Sequence, residues 1–317
     1  MPPSPPSPST SRTARRNLLA RHAIVAQWRF GRLGSGTHAL LWSAASGLIF
    51  VVLNAIMRGL SLVMDPFEVQ FLRYLMGIVV MLPLVARSGL AGCRPKNLMG
   101  QFSRGGVHTI GLCLWFIAVP HITIADTTAI SFTGPIFIML GAFLVFREPM
   151  RWERWLAAGI GMAGVLIVVA PKLSGSGGIY QLVMLASAPV FAASFLMTKA
   201  LTRYERPEVI VLWQSISVAL FSLPLALWHW QAPTFVQWLL VLLCGVLGSS
   251  AHYCLTRSYA AADISATQSV KFLDLVWATA IGWLAFGDHP SRSTLVGGVV
   301  ICASTIWIAR RESRGPR

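Results

Sequence analysis

TIADTTAISFTGPIFIMLGAFLVFREPMRWERWLAAGIGMAGVLIVVA, residues 123–170, is the stretch that decides the fold. From 127 to 146 it carries no charge. Five charged residues then crowd together: Arg147, Glu148, Arg151, Glu153 and Arg154. A second apolar run, rich in glycine, occupies 155–170. A hydrocarbon layer about 30 Å thick takes about 20 helical residues to cross. The stretch therefore reads as a membrane-crossing helix, a tight polar turn and a returning helix. Pro135 falls in the middle of the first run, where its missing N–H predicts a kink or an opening of the span.

Working outward, the same alternation fills the chain. Of 317 residues 55% are hydrophobic and 12% charged, with mean hydropathy +0.64; soluble domains carry about 25% charged residues. Apolar runs cover 37–56, 67–86, 102–119, 123–146 and 155–170, then 180–198, 209–228, 235–255, 264–286 and 294–309. The expected fold is an all-α integral membrane protein with ten transmembrane helices. Short loops leave little room for a soluble domain.

The net charge of +15 lies between the apolar runs, which favours membrane orientation over nucleic-acid binding. With the N-terminus inside, the inner segments, with Arg104 counted in the loop before the third run, hold 21 of the 26 Lys and Arg residues; the outer loops hold Arg58, Lys172 and Arg292. That asymmetry predicts both termini in the cytoplasm. Residues 1–36, rich in Pro, Ser and Arg, read as a basic cytoplasmic tail, with a transit peptide as the alternative. Residues 310–317 form a second basic tail. A bacterial inner membrane fits better than an organellar one. The five cysteines form no CxxC pair, so neither a disulfide framework nor a metal site is expected.

The halves repeat. Shifting the first run by 141 positions lays Leu41, Ala45, Ser46 and Phe50 on Leu182, Ala186, Ser187 and Phe191. Shifting the fourth by 140 lays Leu144, Phe146 and Glu148 on Leu284, Phe286 and Asp288. Five spans per half is an odd number, so the second copy is expected upside down, the usual scaffold for alternating access.

Three features of the opening stretch fall in one hairpin: Ser131-x-x-x-Pro135, Arg147-Glu148, and Gly159-x-Gly161-x-x-Gly164. In that order they resemble the EamA domain of the drug/metabolite transporter superfamily. The resemblance spans 37–309 and implies two inverted five-helix repeats, 37–171 and 180–309. It also implies transport of a small organic metabolite or drug-like solute, without a cofactor. Leu275 stands where the first repeat has Pro135, so the ninth span is expected to run straighter than the fourth.

Ionisable residues at depth are the sharpest candidates for the substrate path, because each is costly within a span. They are Arg73, Lys271 and Asp274. The i, i+3 spacing of the last two puts them on one helical face, either as a self-neutralising pair or as groups that meet the solute. Trp115, Ser131, Pro135, Gln214 and Tyr253 join them, with His108, His252 and Trp277 as further polar or aromatic candidates. Two buried cations and one acid suit an anionic or zwitterionic solute. Glu148 and Asp288, at equivalent helix ends, read as structural acids, with Arg147 and Arg151 as partners for the first. Protons are the candidate coupling ion and a homodimer the candidate assembly. The competing class is an intramembrane acyltransferase using His121 and Asp126; a receptor or assembly protein is a third reading.

Overall fold

The computed structural model describes residues 34–121, 130–149, 151–170, 178–228, 230–286 and 292–313 of the 317. Residues 1–33 and 314–317 of the two expected tails, together with Asp126 and Asp288, lie outside the described residues, while 35–36 and 310–313 belong to the first and last helices. Ten helices of 13 residues or more occupy the rest: α1 (Ser35–Ser61), α2 (Pro66–Gly92), α3 (Leu98–Ala118), α4 (Gly134–Phe146), α5 (Trp152–Val169), α6 (Ile179–Leu201), α7 (Pro207–Trp228), α8 (Phe235–Ala261), α9 (Leu273–Phe286) and α10 (Arg292–Ser313). Among the described residues there is no strand. Six are long and apolar enough to cross a membrane: α1, α2, α6, α7, α8 and α10. Of the others, α3 carries buried polar residues, and α4 and α9 are only 13 and 14 residues long.

Helix starts follow local chemistry. Asp65 Oδ1 accepts the N–H groups of Phe67 and Glu68 at 2.9 and 3.3 Å, and Pro66 sits where no N–H is needed. Thr234 and Gln237 form a reciprocal capping box at α8. Lys199 Nζ donates to Tyr259 O and Ala262 O, both at 2.6 Å, closing the carbonyl end of α8 where a cation is favoured.

Two spans depart from expectation. Pro135 is not mid-helix: residues 132–133 form a turn, and α4 starts at Gly134 with Pro135 in its first turn. The missing N–H therefore costs nothing there. The ninth span is not straight either. It comprises a short helix Ile264–Gln268, a 3-10 turn Ser269–Phe272, and then α9. Both spans thus break at the same level, and a break needs no proline when tertiary contacts hold it.

Helices pack across the halves more than within them. α1 lies on α8 and α3 on α6; α2 lies on α7 and α5 on α10; α4 meets α6 and α9 meets α1. Exchanging the halves turns each pairing into another on the same roster or into itself. Single residues repeat the pattern. Phe132 and Phe272, 140 positions apart, stack with ring centroids at 5.8 Å and planes 21° apart. Ser304 Oγ donates to Ala157 O at 2.7 Å. The exchanged contact sets Gly164 against Gly297, where a Cβ on Gly164 would lie 3.0 Å from Gly297 O. Lipid offers no hydrophobic drive between helices, so small residues and close packing join them. A Cβ on Gly245 would come within 2.6 Å of Met76 Cβ, so α2 and α8 touch almost backbone to backbone.

Candidate functional site

Where α2, α3, α6, α7 and α8 converge, the interior is polar. Arg104 of α3 is 1% exposed. Its Nε donates to Thr198 Oγ1 at 2.5 Å, one terminal nitrogen to Ile210 O at 3.3 Å, the other to Gln214 Oε1 at 2.6 Å. These acceptors satisfy a guanidinium that no carboxylate contacts among the described residues. His108, one turn on, bridges Ser194 Oγ at 3.1 Å and Tyr74 OH at 3.0 Å. Its ring lies 5.6 Å from that of His252. Gln214 Nε2 lies 3.4 Å from His252 Nε2.

Beside this network is a small cavity of about 10 Å³, room for about one water. Arg73, Tyr74, Gln214, Ser215, Ser249 and His252 line it, with Gly77, Gly245 and Gly248 as its backbone walls. Arg73 is 5% exposed, and its Nε is buried without a hydrogen-bond partner. Its guanidinium carbon stands 4.2 Å from the Tyr74 ring centroid.

A second charged cluster sits in the broken ninth span. Lys271, inside the 3-10 turn, pairs with Asp274 at 3.5 Å. Asp274 opens α9, where the helix dipole also favours its charge. Asp274 Oδ1 is buried without a hydrogen bond and faces Gly47 of α1, where a Cβ would come within 1.9 Å of it. Phe50 separates the clusters, with its centroid 5.5 Å from Lys271 Nζ and 5.0 Å from the His252 ring.

The helix-end acid is more than a turn residue. Glu148, 8% exposed, accepts the backbone N–H groups of Ile264 and Ser265 at 3.0 and 3.1 Å and the Ser265 hydroxyl at 2.5 Å. Arg154 donates to Ser265 Oγ at 2.7 Å and to Asp263 Oδ2 at 3.1 Å. The end of α4 thus caps the first, short helix of the ninth span, tying the halves together at one end of the bundle. These hydrogen bonds to the carboxylate thus come from the ninth span and not from the expected Arg147 and Arg151; Arg147 adopts the left-handed conformation at φ 54°, and Arg151 lies 4.0 Å from Glu153.

Of the candidates read from the sequence, the structure brings Arg73 and Gln214 into the cavity and pairs Lys271 with Asp274. Trp115 packs edge-on against Phe116 at 5.0 Å, in the apolar cluster of α1 and α2. Tyr253 meets Trp42 at 6.2 Å. Ser131 is exposed, while Pro135 is buried in the first turn of α4. His121 stacks on Tyr180 at 3.9 Å. Arg104, assigned above to an inner loop, is instead the most enclosed cation of the network. Tyr74 and Ser215 also escaped the sequence reading, since each is a single hydroxyl in an apolar run.

These features define a polytopic helical membrane protein with a polar site between its halves. Residues 37–170 and 178–310 each match the EamA-like transporter family. A riboflavin transporter of Rhizobium johnstonii is 33% identical over 280 residues, 87% of this chain and 92% of that protein. One from Vibrio cholerae is 28% identical over 87% of this chain and 94% of its own length. An S-adenosylmethionine uptake transporter of Rickettsia prowazekii is 24% identical over 87% and 94%. A crystal structure shares the fold with TM-score 0.75 at 18% identity, covering 87% of this chain and 97% of the other. The chain belongs to the EamA-like transporter family and is a membrane transporter of small metabolites, not an enzyme.

Proposed function

We propose that the chain moves a small organic solute across the bacterial inner membrane by alternating access, as two inverted five-helix repeats of ten spans with both termini cytoplasmic. The observation that carries this reading is the exchange of contacts between halves, centred on the Phe132–Phe272 stack. A structure built that way has a related form in which the two ends swap roles. The Glu148 cap holds one end shut by bonds between the halves. The cavity has room for about one water, about 10 Å³, against the roughly 300 Å³ at which small-molecule sites begin, so a metabolite enters only when helices part.

Riboflavin is the first solute to test, because relatives at 33% and 28% identity carry that name. Protons are the proposed coupling ion, with Asp274 as carrier: its unpartnered Oδ1 can take a proton at the cost of the Lys271 pair. Purified full-length protein in sealed proteoliposomes should accumulate riboflavin, or another member of a metabolite extract resolved by chromatography, faster than empty vesicles and saturably. Equal leak into both for every solute would contradict the proposal.

A further inference from the structure

The cavity beside Arg73 has the chemistry of an oxyanion receptor. Each other deep cation is matched. Arg104 has three oxygen acceptors, and Lys271 has Asp274. Arg73 has the face of the Tyr74 ring at 4.2 Å, but among the described residues no acid or hydrogen-bond acceptor reaches it, although it is 5% exposed with Nε wholly buried. A buried charge without a partner is costly in a span and marks a place where a ligand supplies the missing group.

The rest of the lining supplies donors. Guanidinium nitrogens only donate, so the bond from Arg104 fixes Oε1 as the Gln214 atom that faces it. The amide nitrogen, with its two N–H groups, is thereby turned towards His252 and the cavity. Ser249 brings its hydroxyl to 3.3 Å from the point a Cβ on Gly77 would occupy, while Ser215 donates its own to Val211 O at 3.1 Å. Gly248 leaves open the wall against which Arg73 lies, where a Cβ would sit 3.0 Å from Arg73 Nε. No carboxylate lines the cavity.

We infer that Arg73 receives a carboxylate or phosphate group of the transported solute, with Gln214 and Ser249 as the accompanying donors, so the substrate class is anionic. This rests on the transporter reading and adds the group recognised. It assigns anion recognition to Arg73 and leaves Lys271, already neutralised, out of that role.

The test uses the full chain in lipid nanodiscs and reads the thermal unfolding midpoint against matched probes. Riboflavin 5′-phosphate against riboflavin probes phosphate; nicotinate against nicotinamide probes carboxylate. The midpoint should rise with the charged member of at least one pair and rise less with its neutral partner. Arg73→Gln should weaken the apparent affinity for that anion about tenfold or more, the scale of one lost charge-assisted hydrogen bond. Gln214→Glu keeps the Arg104 contact but puts a negative charge at the cavity. It should lose the preference, and each variant's binding is read as the shift over its own unliganded midpoint, which separates a folding defect in Arg73→Gln from lost recognition. Equal stabilisation by neutral partners, no stabilisation by either anion, or an undiminished preference in Gln214→Glu would overturn the inference. Saturable riboflavin uptake with no anion preference sinks this inference alone. Anion stabilisation without uptake of any solute sinks alternating access and leaves the binding assignment standing.

Discussion

Replacing Glu148 by alanine tests how the halves are held at one end of the bundle. The carboxylate satisfies two backbone N–H groups and one hydroxyl at the start of the ninth span, at 3.0, 3.1 and 2.5 Å. It is 8% exposed and Arg154 4%, so water does not replace it freely. Each stranded buried donor costs about 1–3 kcal/mol. Ser265 Oγ keeps its bond from Arg154 at 2.7 Å, so the loss falls mainly on the two backbone donors. A net cost of about 3 kcal/mol follows, a shift of more than a hundredfold in the equilibrium. The assay is thermal unfolding of the purified protein in nanodiscs, where a loss of that size lowers the midpoint by roughly 4–5 °C. Glu148→Gln retains one acceptor and should lose about half as much. A midpoint for Glu148→Ala within about 1 °C of wild type, or a glutamine variant less stable than the alanine, would refute the cap.

Further outcomes follow from the same geometry. Gly47→Ala should drive Asp274 from its place, since the new Cβ would lie 1.9 Å from Oδ1; transport should fall at least tenfold with folded yield little changed, as uptake and gel filtration will show. Lys271→Ala strands Asp274 and Asp274→Ala strands Lys271, so either single change should reduce folded protein, measured by gel filtration, and the double change should restore it. Asp274→Asn should lose pH-driven accumulation while retaining exchange down a gradient, read by uptake at two pH values. A reporter fused after Arg317 should be cytoplasmic and one inserted at 172–178 should face outward.

The sequence carried the helices well and the site only in part. Uniform apolar runs are forced by lipid on every span, so α1, α2, α6, α7, α8 and α10 are plain without any tertiary knowledge. Arg104 was misplaced because a cation seven residues into a helix of mixed polarity looks like the end of a loop. Its acceptors Thr198 and Gln214 are 94 and 110 positions away, and no local pattern announces them. The break at Ser269–Phe272 carries neither proline nor glycine. It is set by the Phe132 stack on Phe272 and by the Glu148 cap upstream, both contacts between the halves. Pro135 misled for the opposite reason: proline is a helix breaker inside a run but a favourable residue at a start, and sequence alone did not show where the run began. Arg73 and Gln214 were legible because a charge or amide deep in a span is rare. That they line one cavity depends on α2 and α7 packing together, which is a property of the fold.

Access to Ser249 from each side of the membrane is the most direct test of the proposed mechanism. Ser249 lines the central cavity and is 8% exposed. Ser249→Cys, in a chain whose five native cysteines are replaced by alanine, is treated with a membrane-impermeant maleimide. The reagent is applied to right-side-out vesicles in one sample and inside-out vesicles in the other. Alternating access predicts labelling from both sides, each rate falling when a transported solute holds the cavity occluded. Labelling from one side only, or equal rates with and without a solute that the vesicles accumulate, would contradict it.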